Sequence, residues 1–272
     1  MKKIARITTQ KKHKNRYNIF LQTPDGGDAY GFSVDEAILI EYRLSKGMEL
    51  EDEMISILEQ KDTLHKAYTL TIHFLSYRMR SEKEVSDYLQ KKEVDEEHIA
   101  EIIKRLKKEK WVDDQQFAEM FVRSRINSSS KGPKMIQQEL FEKGVDGSKI
   151  TSALEQYPVE EQKQKVEKLI SKKLQSKSKD SHQKRIDQIK QNLMQKGFDS
   201  GVISMVIQQM DTTEDTDREW EVLQLQGEKL LYKYQKKHSG FALKQKVMEG
   251  LYRKGFSFDM INQFIDQSLQ DE

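Results

Sequence analysis

A pattern that recurs four times limits this chain more than any other feature of it. It is clearest at Leu140–Leu154 (LFEKGVDGSKITSAL) and returns from Leu193 (LMQKGFDSGVISMVI), from Leu251 (LYRKGFSFDMINQFI) and, less fully, from Leu89. The leading leucines lie 51, 53 and 58 residues apart. Four positions on stands Glu93, Gly144, Gly197 or Gly255; six on, Asp95, Asp146, Asp199 or Ser257; ten on, Ile99, Ile150, Ile203 or Ile261. The helix carrying each Leu ends in a Lys, whose charge suits the negative end of the helix dipole. The Gly can take the left-handed conformation that closes a helix. The Asp or Ser is a good N-cap for the next helix, whose apolar stripe is Ile150, Ala153 and Leu154 in the clearest copy. The repeat is thus helix, tight turn, helix, with a further helix needed to fill the period. A fixed period of this length points to a stacked array of helical units.

Composition agrees with an array. Apolar residues make up 36% of the 272 and charged residues 34%, so the helices should carry narrow apolar stripes and face solvent widely. Three prolines leave long helices uninterrupted. With no cysteine there is no disulfide, thiol catalysis or cysteine-held metal. No apolar run approaches a membrane span and the start lacks a signal-peptide core, so a cytoplasmic, soluble protein is expected. Net charge is only +2, but its distribution is uneven. Lys2, Lys3, Arg6, Lys11, Lys12, Lys14 and Arg16 open the chain with no acid among them, and residues 159–197 hold 11 Lys or Arg against 5 acids. Such stripes can meet phosphate, although lysine-rich helix faces commonly serve solvation alone.

Residues 1–32 alternate as strands do around a turn at Thr23–Gly27, which predicts a β element of two or three strands including Asp28–Phe32. Ser33 to Glu36 reads as a capping box opening a helix through about Leu44, with a short helix from Glu49 to Gln60. The expected organisation is residues 1–61 as a β-hairpin with short helices, then three-helix repeats at 62–110, 111–158, 159–215 and 216–272. The fold class is mainly all-α, with that small N-terminal β element. Ser81 with Glu84 is a capping box for the second helix of the first repeat, and Asp113 caps the first helix of the second. Trp111 and Trp220, beside helix starts, are expected core anchors. Asp211–Asp217 reads as a polar linker.

No catalytic constellation emerges, and the expectation is a protein that is not an enzyme. His65 and His73 are eight apart on one helix with no acidic partner at metal-ligand spacing. Asp113 and Asp114 are more simply a cap and a dipole partner than a catalytic pair. There is no phosphate-binding glycine loop, and no metal or cofactor is expected. What remains is a long charged surface.

The run Asp113-Asp114-Gln115-Gln116-Phe117-Ala118, then Arg123, Arg125, Gly132 and ELFEKGV at Glu139–Val145, resembles the RecX family, as does RSEKEVSDYL at Arg80–Leu89. The resemblance covers about residues 62–210, and the flanking parts look like the longer Gram-positive members. Glu93, where the other copies have Gly, departs from the pattern and weakens the expectation of a left-handed turn there. The resemblance implies a curved array of three-helix units that binds the RecA–DNA filament, limits its extension and inhibits strand exchange and ATP hydrolysis. It also implies that single- and double-stranded DNA can be direct partners; a stand-alone nucleic-acid binder competing for DNA is the alternative reading. No membrane partner and a monomeric state are expected. By charge, the contact residues would be Arg123, Arg125, Lys131 and Lys134 in the second repeat and Lys172, Lys173, Lys184 and Arg185 in the third. Asp113, Asp114, Phe117, Ala118, Leu140 and Gly144 are expected to serve structure as cap, core and turn.

Overall fold

A computed structural model describes residues 1–176, 178–210 and 216–269, and among them the chain forms thirteen helices and four strands. Two units are separable: residues 1–117 with 142–149, and residues 118–141 with 150–272.

The first unit begins with an antiparallel sheet, β1 (Lys2–Thr9), β2 (Arg16–Gln22), β3 (Asp28–Asp35) and β4 (Glu49–Leu50), in the order β3-β2-β1-β4. The turn at Thr23–Gly27 closes through Gly26 N–H to the Thr23 carbonyl at 3.0 Å, with Gly26 left-handed at φ 85°. Alternation buries Ile4, Ile19, Phe32 and Val34 on one face, where Ile38, Leu44, Leu50 and Leu58 cover them. A marginal hairpin is thereby given a core of its own.

Two sequence expectations change here. Ser33 does not cap a helix: it lies in β3 opposite Asn18, and its hydroxyl accepts from Arg16 at 3.2 Å. Asp35 caps α1 (Glu36–Glu41) instead, accepting from Ala37 N–H. Nor is there a break near residue 61. Glu49 and Leu50 pair with β1, and α2 runs unbroken from Asp52 to Ser76, through the expected boundary. No Gly or Pro interrupts that stretch, and Asp62, which reads as a helix start, is a buried anchor inside it. Its carboxylate takes the Arg16 guanidinium at 2.8 and 3.1 Å, Lys66 at 2.9 Å and the Asp35 N–H at 2.8 Å. Burial pushes that carboxyl up, but these four donors outweigh it and hold it below its ordinary value.

The first repeat is completed by α3 (Glu82–Gln90) and α4 (Glu96–Lys108). Ala67 and Leu75 of α2 pack with Val85, Leu89, Ile99, Ile102, Leu106 and Val112. The expected capping box is present: the Ser81 hydroxyl accepts from Glu84 N–H at 3.2 Å and the Glu84 carboxylate from Ser81 N–H at 3.3 Å. Trp111 is not a core anchor. Lys110 turns left-handed at φ 61°, leaving Trp111 53% exposed while Val112 goes inward.

The remaining helices follow the predicted order: α5 (Asp114–Ser128), α6 (Pro133–Glu142), α7 (Gly147–Leu154), α8 (Val159–Leu174), α9 (His182–Gln195), α10 (Ser200–Gln209), α11 (Thr216–Tyr234), α12 (Gly240–Tyr252) and α13 (Phe258–Leu269). Phe117, Ala118, Leu140, Ile150 and Ala153 are buried, as the expected core roles require. In the last repeat Leu223, Val247, Leu251, Phe256, Ile261 and Phe264 form one core against which Trp220 packs. Residues 211–215 of the expected linker lie outside the described residues.

Candidate interaction surface

The repeated turn closes in the same way in the first, third and fourth repeats. In the first repeat Val94 N–H reaches back to the Leu89 carbonyl at 3.2 Å; in the third, Phe198 to Leu193 at 3.2 Å; in the fourth, Phe256 to Leu251 at 3.4 Å. This is a Schellman closure, in which the residue after the left-handed position folds onto the leading Leu. Phe198 and Phe256 are accordingly buried, and Val145 is buried at the matching position of the second repeat. All four turns are left-handed, including Glu93 at φ 60° beside Gly144 at 77°, Gly197 at 87° and Gly255 at 89°. The departure at Glu93 therefore does not change the turn.

Glycine is required at the other three for a second reason. The start of the second helix of the preceding repeat sits directly on the turn. A Cβ at Gly144 would stand 2.7 Å from Lys83 Cβ, one at Gly197 2.5 Å from the Met135 backbone nitrogen, and one at Gly255 2.5 Å from the Ser181 hydroxyl. Glu93 belongs to the first repeat, with no repeat before it, and is exposed.

Each of these joints is built from groups that a helix end leaves unsatisfied, donors at one end and carbonyls at the other. In the first unit the Ser81 hydroxyl donates to the Lys143 carbonyl at 2.7 Å and Lys83 Nζ to the Glu142 carbonyl at 3.0 Å. In the second unit Gly132 N–H donates to the Lys196 carbonyl at 2.7 Å and Lys134 N–H to the Gly197 carbonyl at 3.1 Å. There too Ser181 N–H donates to the Lys254 carbonyl at 3.0 Å and Lys184 Nζ to the Arg253 carbonyl at 2.7 Å.

Acidic residues complete the joints. Asp113 is the local cap of α5, accepting from Gln115 and Gln116 N–H at 2.9 and 3.1 Å. Asp114 is 8% exposed and accepts from Glu82 N–H at 2.8 Å, so it caps α3, a helix far away in sequence, as well as opening its own. Burial raises its carboxyl above the ordinary value. In the later joint Glu219 does the same for His182 N–H at 3.2 Å. In the joint between them the corresponding position is Pro133, which has no N–H to satisfy. Glu84 is pushed up by burial, but Arg78 at 2.9 and 3.0 Å and Lys143 at 2.8 Å more than reverse this and bring it down to about 2.

The cations chosen by charge divide accordingly. Arg125 pairs with Glu139 at 2.8 Å and lies over the Phe121 ring, and Lys131 pairs with the same carboxylate. Burial raises Glu139, but Lys131 and Arg125 outweigh it and keep it lowered. Lys134 reaches Asp199 at 3.3 Å, and Lys184 holds Asp180 at 3.2 Å beside its joint bond. Arg185 donates to the Lys173, Leu174 and Ser176 carbonyls at 3.1, 2.8 and 2.8 Å, closing the end of α8. Arg123 is exposed and donates to Gln156 at 3.2 Å. Lys172 and Lys173 are exposed at the end of α8. Of the eight, Lys134 and Lys184 thus reach a neighbouring repeat, Arg125 and Lys131 share Glu139 within their own, and Arg185 closes a helix end.

The joint acids Asp114 and Glu219 were not legible as such, since their partners are backbone groups of another repeat. No group of His, Asp or Glu among the described residues could hold a metal ion, and no described helix is long and apolar enough to cross a membrane. His65 is engaged by Asp35 at 3.3 Å, and His73 stands edge-on to Tyr77.

Comparisons with known proteins bear on this architecture domain by domain. Residues 2–51 match the family described as the regulatory protein RecX N-terminal domain, 67–106 the RecX first three-helix domain, and 113–154 the second. The third three-helix domain matches twice, at 160–207 and 217–265, so the last repeat is a further copy of the one before it. The regulatory protein RecX of Halalkalibacterium halodurans is 39% identical over 97% of this chain and 98% of its own, and that of Bacillus cytotoxicus 37% over 98% of each. A crystal structure of regulatory protein RecX superimposes with a TM-score of 0.66 at 36% identity, covering 76% of this chain and all of its own. RecX from Lactobacillus salivarius gives 0.53 at 36% identity, over 56% of this chain and 98% of its own. With every one of its domains matched in order, the chain belongs to the RecX family of regulatory proteins.

Proposed function

We propose that this protein is a negative modulator of the RecA recombinase, binding the RecA–DNA filament in the cytoplasm and limiting its assembly, its ATP hydrolysis and strand exchange in recombination and repair. The observation that carries this reading is the ordered match of all its domains to RecX. Its structural support is the way the chain spends its chemistry. Buried acids and helix-end carbonyls are engaged in joining repeats, and what is left for a partner is surface.

Such a surface acts by summing many modest contacts along a repetitive target. It changes filament assembly only by the difference in its affinity for two filament states. Among the cations singled out by charge, Arg123, Lys172 and Lys173 are the ones open to a partner, while Arg125, Lys131, Lys134, Lys184 and Arg185 are engaged within the protein. RecA ATPase on single-stranded DNA, with this protein titrated in, tests the proposal. Inhibition well below one copy per RecA protomer supports action on the filament, and no effect at any level sinks it. Inhibition only at saturation, tracking the protein's own salt-sensitive DNA binding, favours the competing reading of a stand-alone nucleic-acid binder.

A further inference from the structure

The most basic stretch of the sequence lies in none of the joints. Lys12, His13 and Lys14 sit exposed on the turn between β1 and β2, which Gln10 N–H closes onto the Arg16 carbonyl at 2.8 Å. This turn and the middle of α2 form the walls of an open groove of about 560 Å³, lined by Lys12, His13, Lys14, Arg16, His65 and Lys66. Arg16 and Lys66 are fixed from behind by buried Asp62, and His65 by Asp35. Four Lys or Arg side chains thus stand against two carboxylates, one of which is 2% exposed. The backbone N–H groups of Lys11, Lys12, His13, Lys14 and Asn15 donate to no acceptor among the described residues. These exposed amides are open to an external acceptor, and Lys12 and Lys14 stand among them.

We infer that this groove is a binding site for the phosphodiester backbone of a nucleic acid. The inference goes beyond the regulatory reading and does not rest on it. Lysine ammonium groups and open amides engage phosphate as point charges and donors. Arg16, the one arginine lining the groove, is held by Asp62 and cannot swing out to a base edge. No Phe, Tyr or Trp lines the groove for base stacking, so binding is independent of sequence. An acidic protein surface fits less well, because a protein interface needs an apolar centre and the groove offers only Leu70, 47% exposed.

The test uses the full chain and fluorescence anisotropy of a labelled oligothymidylate, with no recombinase present, so failure of the regulatory reading leaves it standing. The double variant Lys12→Glu/Lys14→Glu should weaken binding roughly tenfold or more at low salt and lower the slope of log K against log salt by about 1.4, two single-strand phosphate contacts. Lys236→Glu/Lys237→Glu, also exposed and carrying the same change of charge, should change affinity by less than about twofold if the groove carries the binding. The variants change exposed side chains only, and matching circular dichroism melts establish that both are folded. Equal weakening by the two double variants overturns the site, as does binding that the hairpin variant leaves intact. Displacement of the oligonucleotide by polyglutamate at matched charge overturns the choice of phosphate.

Discussion

Replacing Gly197 by Ala separates the two reasons for glycine at the repeated turn. The left-handed backbone, at φ 87°, costs an L-residue about 1–2 kcal/mol. The added Cβ would also stand 2.5 Å from the backbone nitrogen of Met135, which cannot swing aside as a side chain could. Relief requires the start of α6 to withdraw, straining the bonds from Gly132 N–H to the Lys196 carbonyl and from Lys134 N–H to the Gly197 carbonyl. At about 0.5–1.5 kcal/mol each, losing both brings the total to ~3 kcal/mol. The matched control is Glu93→Ala, which keeps a Cβ on an exposed left-handed residue; it should change stability by less than ~0.5 kcal/mol. Urea unfolding followed by circular dichroism compares the variants. Hydrogen exchange at Gly132 and Lys134 reports the joint directly, which matters because repeat arrays need not unfold in one step. Protection at those two amides should fall in Gly197→Ala and stay unchanged in Glu93→Ala. A Gly197→Ala loss below ~1 kcal/mol with protection intact would refute the joint as the reason for glycine.

Other substitutions read the same structure. Phe117→Ala, at a buried site, should cost ~3–5 kcal/mol in urea unfolding. Arg125→Ala should cost only ~1 kcal/mol in the same experiment, because Lys131 still satisfies Glu139. Asp114 is held above its ordinary value by burial, so its charge opposes folding, and that cost sets in as pH rises through the folded value. Asp114→Asn, which keeps an acceptor for Glu82 N–H, should be at least as stable as wild type at pH 7. Asp114→Ala strands that donor and should lose ~1–3 kcal/mol, both measured by thermal melts. Glu84 has the opposite sign: lowered from 4.5 to about 2, it stabilises the fold above pH 4.5 and ceases to as pH falls through 2. Discounted for solvent, Glu84→Gln should cost ~1–2 kcal/mol at neutral pH. A pH series of melts should show that difference closing below about pH 2.5.

The division of labour at Asp113 and Asp114 shows how adjacent acids can differ. One accepts from its own helix start and the other from a helix of the preceding repeat, which is why only the second is buried. A similar economy holds at Glu219 and Pro133, where one joint supplies an acceptor and another removes the donor. The cations follow the same logic. Arg125, Lys131 and Glu139 form one local set, so charge that reads in sequence as a binding stripe is largely neutralised within the molecule.

Local chemistry alone determined the repeat, its period, the helix-turn-helix stretch and the caps at Ser81, Asp113, Asp146 and Asp199. Each of these depends on neighbours within a few residues, which is the range over which spacing carries information. The family motif was legible for the same reason. Tertiary structure decided what those residues touch. Asp62 looks like a helix start, yet it is a buried anchor because Arg16 comes to it from 46 residues away. Trp111 looks like core, yet the left-handed turn at Lys110 sends Val112 inward in its place. The glycines look like helix stops alone; only the packed molecule reveals that the next helix start leaves no room for a Cβ, and that Glu93 is spared because no repeat precedes it. Sequence fixes which conformations a residue can adopt, whereas the space around it is set by chain that arrives from elsewhere.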